Sequence, residues 1–266
     1  MNARKIHLII EKEFDEILKN KLILATILGM PLIFSLVIPA AMLLPAIVSP
    51  DQFTSNNMTQ LARNLPGADN MKPVEAYIVF MVSAILPFFM MLPAILPTII
   101  SSYSVVGEKK NRTLEPLLAA PVAVEDIMAG KALAALIPAL LATWISAAIF
   151  AAVVYLLTNG IVHQILVPDL TWLIGLFILS PLIAFLGVMF TVVISSKVND
   201  PRTAQQFSVV LILPIMLIFL SQMTGLLMVN EAVVLGVSLV VLLADLAILK
   251  IGSKLFDREG ILTRWK

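Results

Sequence analysis

The sequence predicts an all-α membrane protein. It should have six transmembrane helices, an N-terminal amphipathic helix on the membrane surface, a short cytoplasmic helix between spans two and three, and both termini in the cytoplasm. One observation is composition, because 60% of the 266 residues are apolar and 13% are charged, against roughly 45–50% and 25% in an average soluble domain. Another is six apolar stretches, each long enough for the roughly 20 residues that cross a bilayer core. The last is the placement of basic residues on alternate connecting segments.

Composition and charge exclude several classes of protein. The chain is too apolar and too weakly charged to be disordered, and a soluble enzyme of this length could not bury so much apolar surface in one core. A net charge of +1 argues against nucleic acid as a partner, since binding to phosphates depends on clustered Lys and Arg. The absence of cysteine excludes disulfides, a thiolate nucleophile and zinc–cysteine sites.

The six apolar stretches are assigned as spans. The first three exceed one straight crossing, so tilt or interfacial ends are expected. No cleavable signal is predicted, because the first apolar run begins only at Lys21 and is too long for a signal-peptide core. The predicted spans are Lys21–Val48, Ala76–Ser102, Lys131–Leu157, Thr171–Ser195, Phe207–Val229 and Ala232–Ile251.

Lysine and arginine residues set the orientation. Of the 18 basic residues, all except Arg63 and Lys72 lie before span one, between spans two and three, between spans four and five, or after span six. Segments rich in Lys and Arg stay in the cytoplasm. The sequence therefore predicts a multi-pass protein of the cell membrane, embedded in the lipid bilayer, with both termini in the cytoplasm.

The first twenty residues predict an amphipathic helix. Ile6, Ile10, Phe14, Ile17 and Leu18 recur on one helical face, among charged residues on the others. Such a helix is expected to lie on the inner membrane surface before the chain turns into span one. The alternative is a plain anchor that has no protein partner.

Span two carries three prolines, Pro87, Pro93 and Pro97, which are the best candidates for a gating kink. A proline frees a backbone carbonyl and favours a bend, and membrane helices tolerate this when neighbours or water satisfy the carbonyl. The alternative is that these prolines only reflect the higher frequency of proline in membrane helices.

Two polar residues fall inside spans. Gln222 in span five is predicted to form a hydrogen bond to a neighbouring helix. Asp245 in span six is the only acidic residue well inside a span, and an ionisable residue at such a depth is a functional candidate. The structural alternatives for Asp245 are that it reaches the membrane interface or pairs with Lys250.

No catalytic or metal site is predicted. The two histidines, His7 and His163, lie outside the spans, and neither an HExxH nor a GxSxG motif occurs. Gly130-Lys131 ends like a phosphate-binding P-loop but fails that motif, because Glu125 and Ala132 stand where the motif needs Gly and Ser or Thr. The chain is therefore predicted not to be an enzyme and not to hold a cofactor. If ATP drives transport by this protein, the ATP must bind another chain.

The loop between spans two and three has two parts. Thr113-Leu114-Glu115 and Leu117-Leu118 predict a short amphipathic helical turn, which Pro121 ends because proline disfavours helix in the residue before it. Glu125 and Asp126 then fall in the first turn of the helix that enters span three, where acidic side chains favour the positive end of the helix dipole. A short cytoplasmic helix with leucines on one side suits docking into a groove on a partner.

This loop resembles the corresponding loop of the ABC-2 type transporter permeases, in particular the sodium or multidrug export permeases. Their loop typically reads Glu-Lys/Arg, a few residues, Gly-Thr-Leu-Glu, Leu-Leu, a small residue or two, Pro, an acidic-Ile pair and Gly-Lys. Arg112 stands where many members have Gly, and the acidic-Ile pair lacks its usual basic or aromatic lead-in. The matching positions are Glu108, Lys109, Thr113, Leu114, Glu115, Leu117, Leu118, Pro121, Ile127, Gly130 and Lys131.

The resemblance implies a single ABC-2 type transmembrane domain over residues 1–266, with a connecting helix at 1–20, six spans within 21–251 and a cytoplasmic tail at 252–266. The short loop helix would be the coupling helix that meets separate cytoplasmic ABC ATPase subunits, which would hold ATP and Mg²⁺. A second permease subunit, identical or paralogous, would complete the exporter. The residues implied in ATPase coupling are Glu108, Thr113, Leu114, Glu115, Leu117, Leu118 and Pro121.

One alternative is a non-transporting membrane scaffold that recruits a cytoplasmic protein through the same loop. Many drug and sodium export permeases carry a large external domain after span one, whereas only Ser49–Glu75 is available here. The resemblance therefore leaves the substrate class open.

Overall fold

The computed structural model describes residues 2–50, 71–110, 122–162, 166–195, 198 and 200–255. Over these ranges the chain is helical and has no strand. Six helical stretches in this part of the chain are long and apolar enough to cross a membrane. For the described residues, the prediction of an all-α protein with six helices long and apolar enough to be spans is thereby confirmed.

The helices follow one another in chain order. The N-terminal helix covers Ala3–Lys19. Span one consists of Lys21–Leu32, a π-helical segment Ile33–Val37 and Ile38–Val48; span two of Pro73–Phe89 and Met91–Lys110; and span three of Val124–Thr158. Span four consists of Leu170–Ile174, a π-helical segment Gly175–Leu179 and Ser180–Ser195; span five of Pro201–Ser208, a 3₁₀ turn Val209–Leu211 and Ile212–Met223; and span six of Glu231–Leu255.

Spans one and four widen into a π-helix shortly before a proline. Segment Ile33–Val37 precedes Pro39, and segment Gly175–Leu179 precedes Pro181. A proline lacks an N–H, and its ring crowds the carbonyl four residues earlier. That carbonyl falls in the middle of each π-helical segment, where the wider turn gives it room. The prolines therefore widen these two spans without ending them.

Span two is interrupted. Its first helix ends at Phe89, Met90 forms a turn whose N–H bonds to the carbonyls of Leu86 and Pro87, and the second helix begins at Met91. The break thus lies between Pro87 and Pro93, as expected where two prolines remove helical donors in close succession. Pro97 lies inside the unbroken second helix. A gating role for these prolines stays a prediction.

Span five differs from its predicted bounds of 207–229. It begins at Pro201, where the Asp200 side chain accepts a hydrogen bond from the Thr203 N–H. It ends at Met223, because Gly225 adopts a left-handed conformation (φ 72°) and the turn's N–H groups return to the last helical carbonyls. Glycine favours this helix-ending turn because it has no Cβ.

Span two forms the centre of the bundle. About 72% of its most apolar window is buried inside the protein, against 11% for span five and 17% for span six, which leave most of their surface to the surroundings. Beside span two, Phe150 stacks on Trp172 at 5.0 Å and Phe89 meets the Trp172 ring edge-on at 5.5 Å. Aromatic packing therefore ties spans two, three and four together.

Two side chains of span three bond to backbone carbonyls of other spans. Ser146 donates to the Pro31 carbonyl of span one at 2.8 Å, and the Trp144 ring N–H donates to the Leu176 carbonyl of span four at 2.9 Å. Leu176 lies in a π-helical segment. Carbonyls near the irregular turns are thus satisfied by a neighbouring helix, as the low dielectric of a membrane interior demands.

Candidate functional site

Of the seven predicted coupling residues, the structure describes Glu108. Its carboxylate is 4% exposed and lies near the end of the second helix of span two. The other predicted coupling residues lie outside the described residues, namely Thr113, Leu114, Glu115, Leu117, Leu118 and Pro121.

Glu108 belongs to a buried group of charges centred on Lys131. The Lys131 ammonium lies 2.6 Å from the Glu13 carboxylate, 2.8 Å from that of Glu108 and 2.9 Å from the Ser104 hydroxyl. Lys131 is 5% exposed and Glu13 is 3% exposed. The three charges come from span three, the N-terminal helix and span two respectively. They join three elements that are far apart in sequence.

Lys12 supplies the second cation. Its ammonium bonds to the other oxygen of Glu108 and lies 3.4 Å from Glu13 and 3.2 Å from Glu16. We call Lys12, Glu13, Glu108 and Lys131 the charge cluster. Its two ammonium and two carboxylate groups balance, which is the condition under which buried charges are tolerated.

The face that the N-terminal helix buries differs from the predicted one. Its buried residues are Ile9, Glu13 and Ile17, whereas the pattern predicted a face of positions 6, 10, 14, 17 and 18. Leu18 is exposed. The predicted apolar face was expected to lie on the membrane surface, and that placement stays a prediction. Glu13 can be buried on the protein side because the ammonium of Lys131 neutralises its carboxylate.

Gly130 lets the N-terminal helix approach span three closely. A Cβ at position 130 would lie 2.7 Å from the Ile9 Cγ2 and 2.8 Å from the Ile9 Cβ. Real Cβ atoms do not come so close to a neighbour, so any other residue would push the two helices apart. Gly130 therefore sets the distance at which Lys131, the next residue, reaches Glu13.

The first residues of the chain are fixed to the start of the same helix. The Asn2 backbone N–H donates to the Asp126 carboxylate at 3.1 Å, and the Asn2 side chain accepts from the Arg4 N–H. Asp126 is buried. Asn2 thus caps the N-terminal helix while Asp126 holds it beside the beginning of span three.

Electrostatics keeps Glu13 and Lys12 ionised. Burial alone would raise the pKa of Glu13, but the charge and hydrogen bond of Lys131 outweigh burial, so the pKa of Glu13 is lowered from its ordinary value. Burial alone would lower the pKa of Lys12, but the hydrogen bond and charge of Glu108, with the charges of Glu13 and Glu16, raise it. Each group therefore stabilises the charged form of the other.

One side of the cluster borders a cavity of about 280 Å³ between the N-terminal helix, the start of span one and span two. Glu13, Glu16 and Glu108 line one part of its wall, and Ile17 and Ile100 another. The cavity thus borders the carboxylates on the side of the cluster away from span three.

The two polar residues predicted inside spans are both buried without a partner. Gln222 is fully buried, and neither atom of its amide group has a hydrogen-bond partner among the described residues. The predicted helix-to-helix hydrogen bond is therefore absent from this part of the chain. Span five packs there on span two, where Met223 lies against the apolar surface around Phe80.

One of the two structural alternatives for Asp245, pairing with Lys250, is not seen in the described part of the chain. The Asp245 side chain is 3% exposed and so lies buried among other helices. Neither carboxylate oxygen has a hydrogen-bond partner, and no ion pair with Lys250 occurs among the residues that the structure describes. The reason is geometric, because Asp245 continues the buried face of span six while Lys250 is exposed.

Sequence reasoning missed Glu13 as a site residue and gave Gly130-Lys131 no structural role of its own. Two signals could have found them. Glu13 lies midway between Ile9 and Ile17 at helical spacing, and Gly130 directly precedes a lysine at the start of an apolar span. Within the described ranges no group of three metal-ligating side chains exists. The arrangement serves to hold helices together and offers no catalytic group.

A comparison with known families bears on this site. A family model described as "ABC-2 family transporter protein" matches residues 7–253. The matched stretch contains the charge cluster and all six spans. No curated protein matches the chain.

Proposed function

This chain belongs to the ABC-2 family of transporter proteins, as a transmembrane component without an ATPase domain, and from that membership we propose that it is the permease subunit of an ATP-driven exporter. Permeases of this family generally pair with ATPase subunits. The proposed complex contains two permease subunits, identical or paralogous, and two cytoplasmic ATPase subunits that hold ATP and Mg²⁺. Both termini and the loop after span two face the cytoplasm.

The charge cluster is the observation that carries this proposal. Glu108 lies just before the loop 111–121 and Lys131 just after it, and their side chains are paired. A partner that pushes on this loop therefore cannot move one stem without the other. Glu13 extends the same pairing to the N-terminal helix, so this helix moves with the loop.

In the proposed complex, the force that the ATPases exert on the loop reaches the membrane through Glu108. Glu108 lies on the second helix of span two, which is the central helix of the bundle. The break at Met90 divides that span into two rigid pieces. We expect ATP-driven closure of the ATPases to tilt the piece that carries Glu108 about Met90, between Pro87 and Pro93, as a hinge motion.

The residues of the spans suggest which class of substrate the transport path can accept. Apart from Asp245, they present no acidic side chain well inside the membrane. An apolar path suits a lipid-like or amphipathic substrate better than a bare ion, because an ion would lose its hydration without compensating charges.

Affinity purification from the native host in mild detergent tests the proposal. The eluate is examined by mass spectrometry for a P-loop ATPase and assayed for ATP hydrolysis. Leu118→Asp puts a charge on the predicted coupling helix and should remove the ATPase from the eluate. The matched control is Leu226→Asp, which puts the same charge on an exposed leucine between spans five and six and should leave the ATPase bound.

Each result has a consequence. A stoichiometric ATPase that Leu118→Asp removes, at unchanged expression, supports the permease. Absence of an ATPase at any stoichiometry overturns it and favours the scaffold, in which the same loop recruits a different cytoplasmic protein. Equal loss of expression in Leu118→Asp would make Leu118 a folding residue, and Leu114→Asp would then repeat the test.

A further inference from the structure

Asp245 is a buried acid that the proposed coupling route does not use. It lies fourteen residues after Glu231 in span six, roughly 21 Å along the helix at 1.5 Å per residue. Its side chain is 3% exposed, and both carboxylate oxygens lack a hydrogen-bond partner among the described residues. A buried polar group without a partner requires an explanation.

Within the described part of the chain, no charged side chain forms an ion pair or hydrogen bond with the Asp245 carboxylate. Span six packs on span four, and the whole of Leu170–Ser195 contains no charged residue. The described charged residues near the ends of this contact are exposed, namely Asp169, Asp200, Arg202, Glu231 and Lys250.

Buried hydroxyl groups lie on span four, the helix against which span six packs. Ile183 of span four and Val237 of span six line the same small cavity, and Thr191 and Asp245 each follow eight residues further along their helix. Thr191 is hydrogen-bonded to Ser208 at 3.1 Å. One turn nearer to the end of the bundle that carries the N-terminal helix, the buried Ser195 hydroxyl has no partner among the described residues.

The burial of Asp245 and the lack of a partner for its carboxyl group determine which ionisation state is favoured. An isolated carboxylate in a medium of low dielectric is far more costly than the neutral acid. We propose that Asp245 is a proton-binding site, and that span six packs against span four in the observed arrangement while Asp245 holds its proton. The carboxylate takes the proton from a hydronium ion that reaches it along the hydroxyls of Ser195 and Thr191, and water is released. When span six moves away, the acid returns the proton to water at that end of the bundle.

Infrared spectroscopy of the whole protein in lipid nanodiscs tests this directly. With ¹³C-labelled aspartate, the wild type should show the carbonyl band of a protonated carboxylic acid at neutral pH. Asp245→Asn should lack that band. Glu231→Gln, which changes an exposed acid on the same helix, should keep it. Raising the pH should bleach the band and lower the thermal stability of the wild type, while the stability of Asp245→Asn should stay flat.

The remaining outcomes of this experiment also test the proposal. A wild type without the band at neutral pH, or a band that survives in Asp245→Asn, overturns the proposal. A carboxylate band that shifts when NaCl is added would assign a metal cation instead of a proton and overturn it too. If Asp245→Asn fails to fold, Asp245→Glu should lose the band in protein labelled with ¹³C-aspartate and show it in protein labelled with ¹³C-glutamate, and a band that stays with aspartate overturns the proposal. Because the readout needs no ATPase, it is independent of the permease assignment.

Discussion

The Glu108 carboxylate and the Lys131 ammonium lie 2.8 Å apart, one before and one after the loop that joins spans two and three. Both side chains are buried, and Lys131 also holds Glu13 of the N-terminal helix at 2.6 Å. The ends of the loop are thus fixed to each other and to a third element. We therefore expect a displacement of the loop to move two spans and the N-terminal helix together.

Replacing Lys131 with methionine should strongly destabilise the protein. The change leaves Glu13 and Glu108 buried with only Lys12 to compensate them, and breaking a buried ion pair costs about 3–5 kcal/mol. Thermal unfolding in detergent measures the effect. Lys21→Met, at an exposed position, is the control and should change the midpoint little. Equal midpoints for the two variants would show that the cluster contributes nothing to stability.

Gly130→Ala should separate the N-terminal helix from span three. The new Cβ would lie 2.7 Å from the Ile9 side chain, a distance at which something must shift. Gly236→Ala is a matched control, because a Cβ there meets nothing within 4 Å and alanine favours helix over glycine by about 1 kcal/mol. Protease cleavage within the N-terminal helix should speed up in Gly130→Ala only. Similar cleavage rates in both variants would contradict the close contact.

Acid should release the N-terminal helix through Glu13. A carboxyl whose pKa is lower in the folded protein than in the unfolded chain stabilises the fold above its unfolded pKa, and this stabilisation is lost as the pH falls through the folded pKa. For Glu13, whose ordinary value is 4.5, the loss should begin as the pH falls through that value. Glu13→Gln should flatten the pH dependence of the unfolding midpoint, whereas Glu11→Gln on the exposed side of the same helix should preserve it. An unchanged curve in Glu13→Gln would refute the role of this carboxyl.

Ser146→Ala should destabilise the contact between spans one and three. The Ser146 hydroxyl is fully buried and bonds to the Pro31 carbonyl of another helix, and a buried acceptor left without its donor costs about 1–3 kcal/mol. Thr143→Val is the control, since the Thr143 hydroxyl bonds only within its own helix. The difference between their unfolding midpoints measures the interhelical bond. A larger loss in Thr143→Val would mean that packing outweighs it.

The orientation is testable because the chain has no cysteine, so a single introduced cysteine can be labelled without background. A membrane-impermeant maleimide should label Ser55→Cys in intact cells. It should label Asp15→Cys, an exposed position of the N-terminal helix, only after the membrane is opened. The physical reason is the retention of Lys- and Arg-rich segments in the cytoplasm. The reverse labelling pattern would invert the topology and remove the loop from reach of a cytoplasmic ATPase.

The spans were predictable because their signal is local. Each contains enough consecutive apolar residues to cross a bilayer, and the structure places helices over all six stretches. The ends were less predictable. Span five ends at Met223 because the backbone of Gly225 turns left-handed, and an apolar sequence that continues to Val229 conceals this turn.

The candidate site was only partly predictable. The loop motif includes Glu108, Gly130 and Lys131, but nothing in the motif shows that Glu108 and Lys131 pair or that Glu13 joins them. A charged residue on an amphipathic helix is usually exposed, and Glu13 is buried only because Lys131 and Lys12 surround it. The compensation by Lys131 depends on a residue 118 positions away in the sequence.

The sequence by itself determined that the protein is helical, that it has six apolar stretches long enough to cross a membrane and that its conspicuous polar loop lies between the second and third of them. These properties follow from apolar length and charge placement along the chain. Only the tertiary structure decided that Gly130 admits Ile9, that the charge cluster closes the ends of the loop and that Asp245 has no partner among the described residues. Burying a charge in a membrane protein costs too much without a neighbour of opposite sign, and only the folded arrangement shows which neighbours are present.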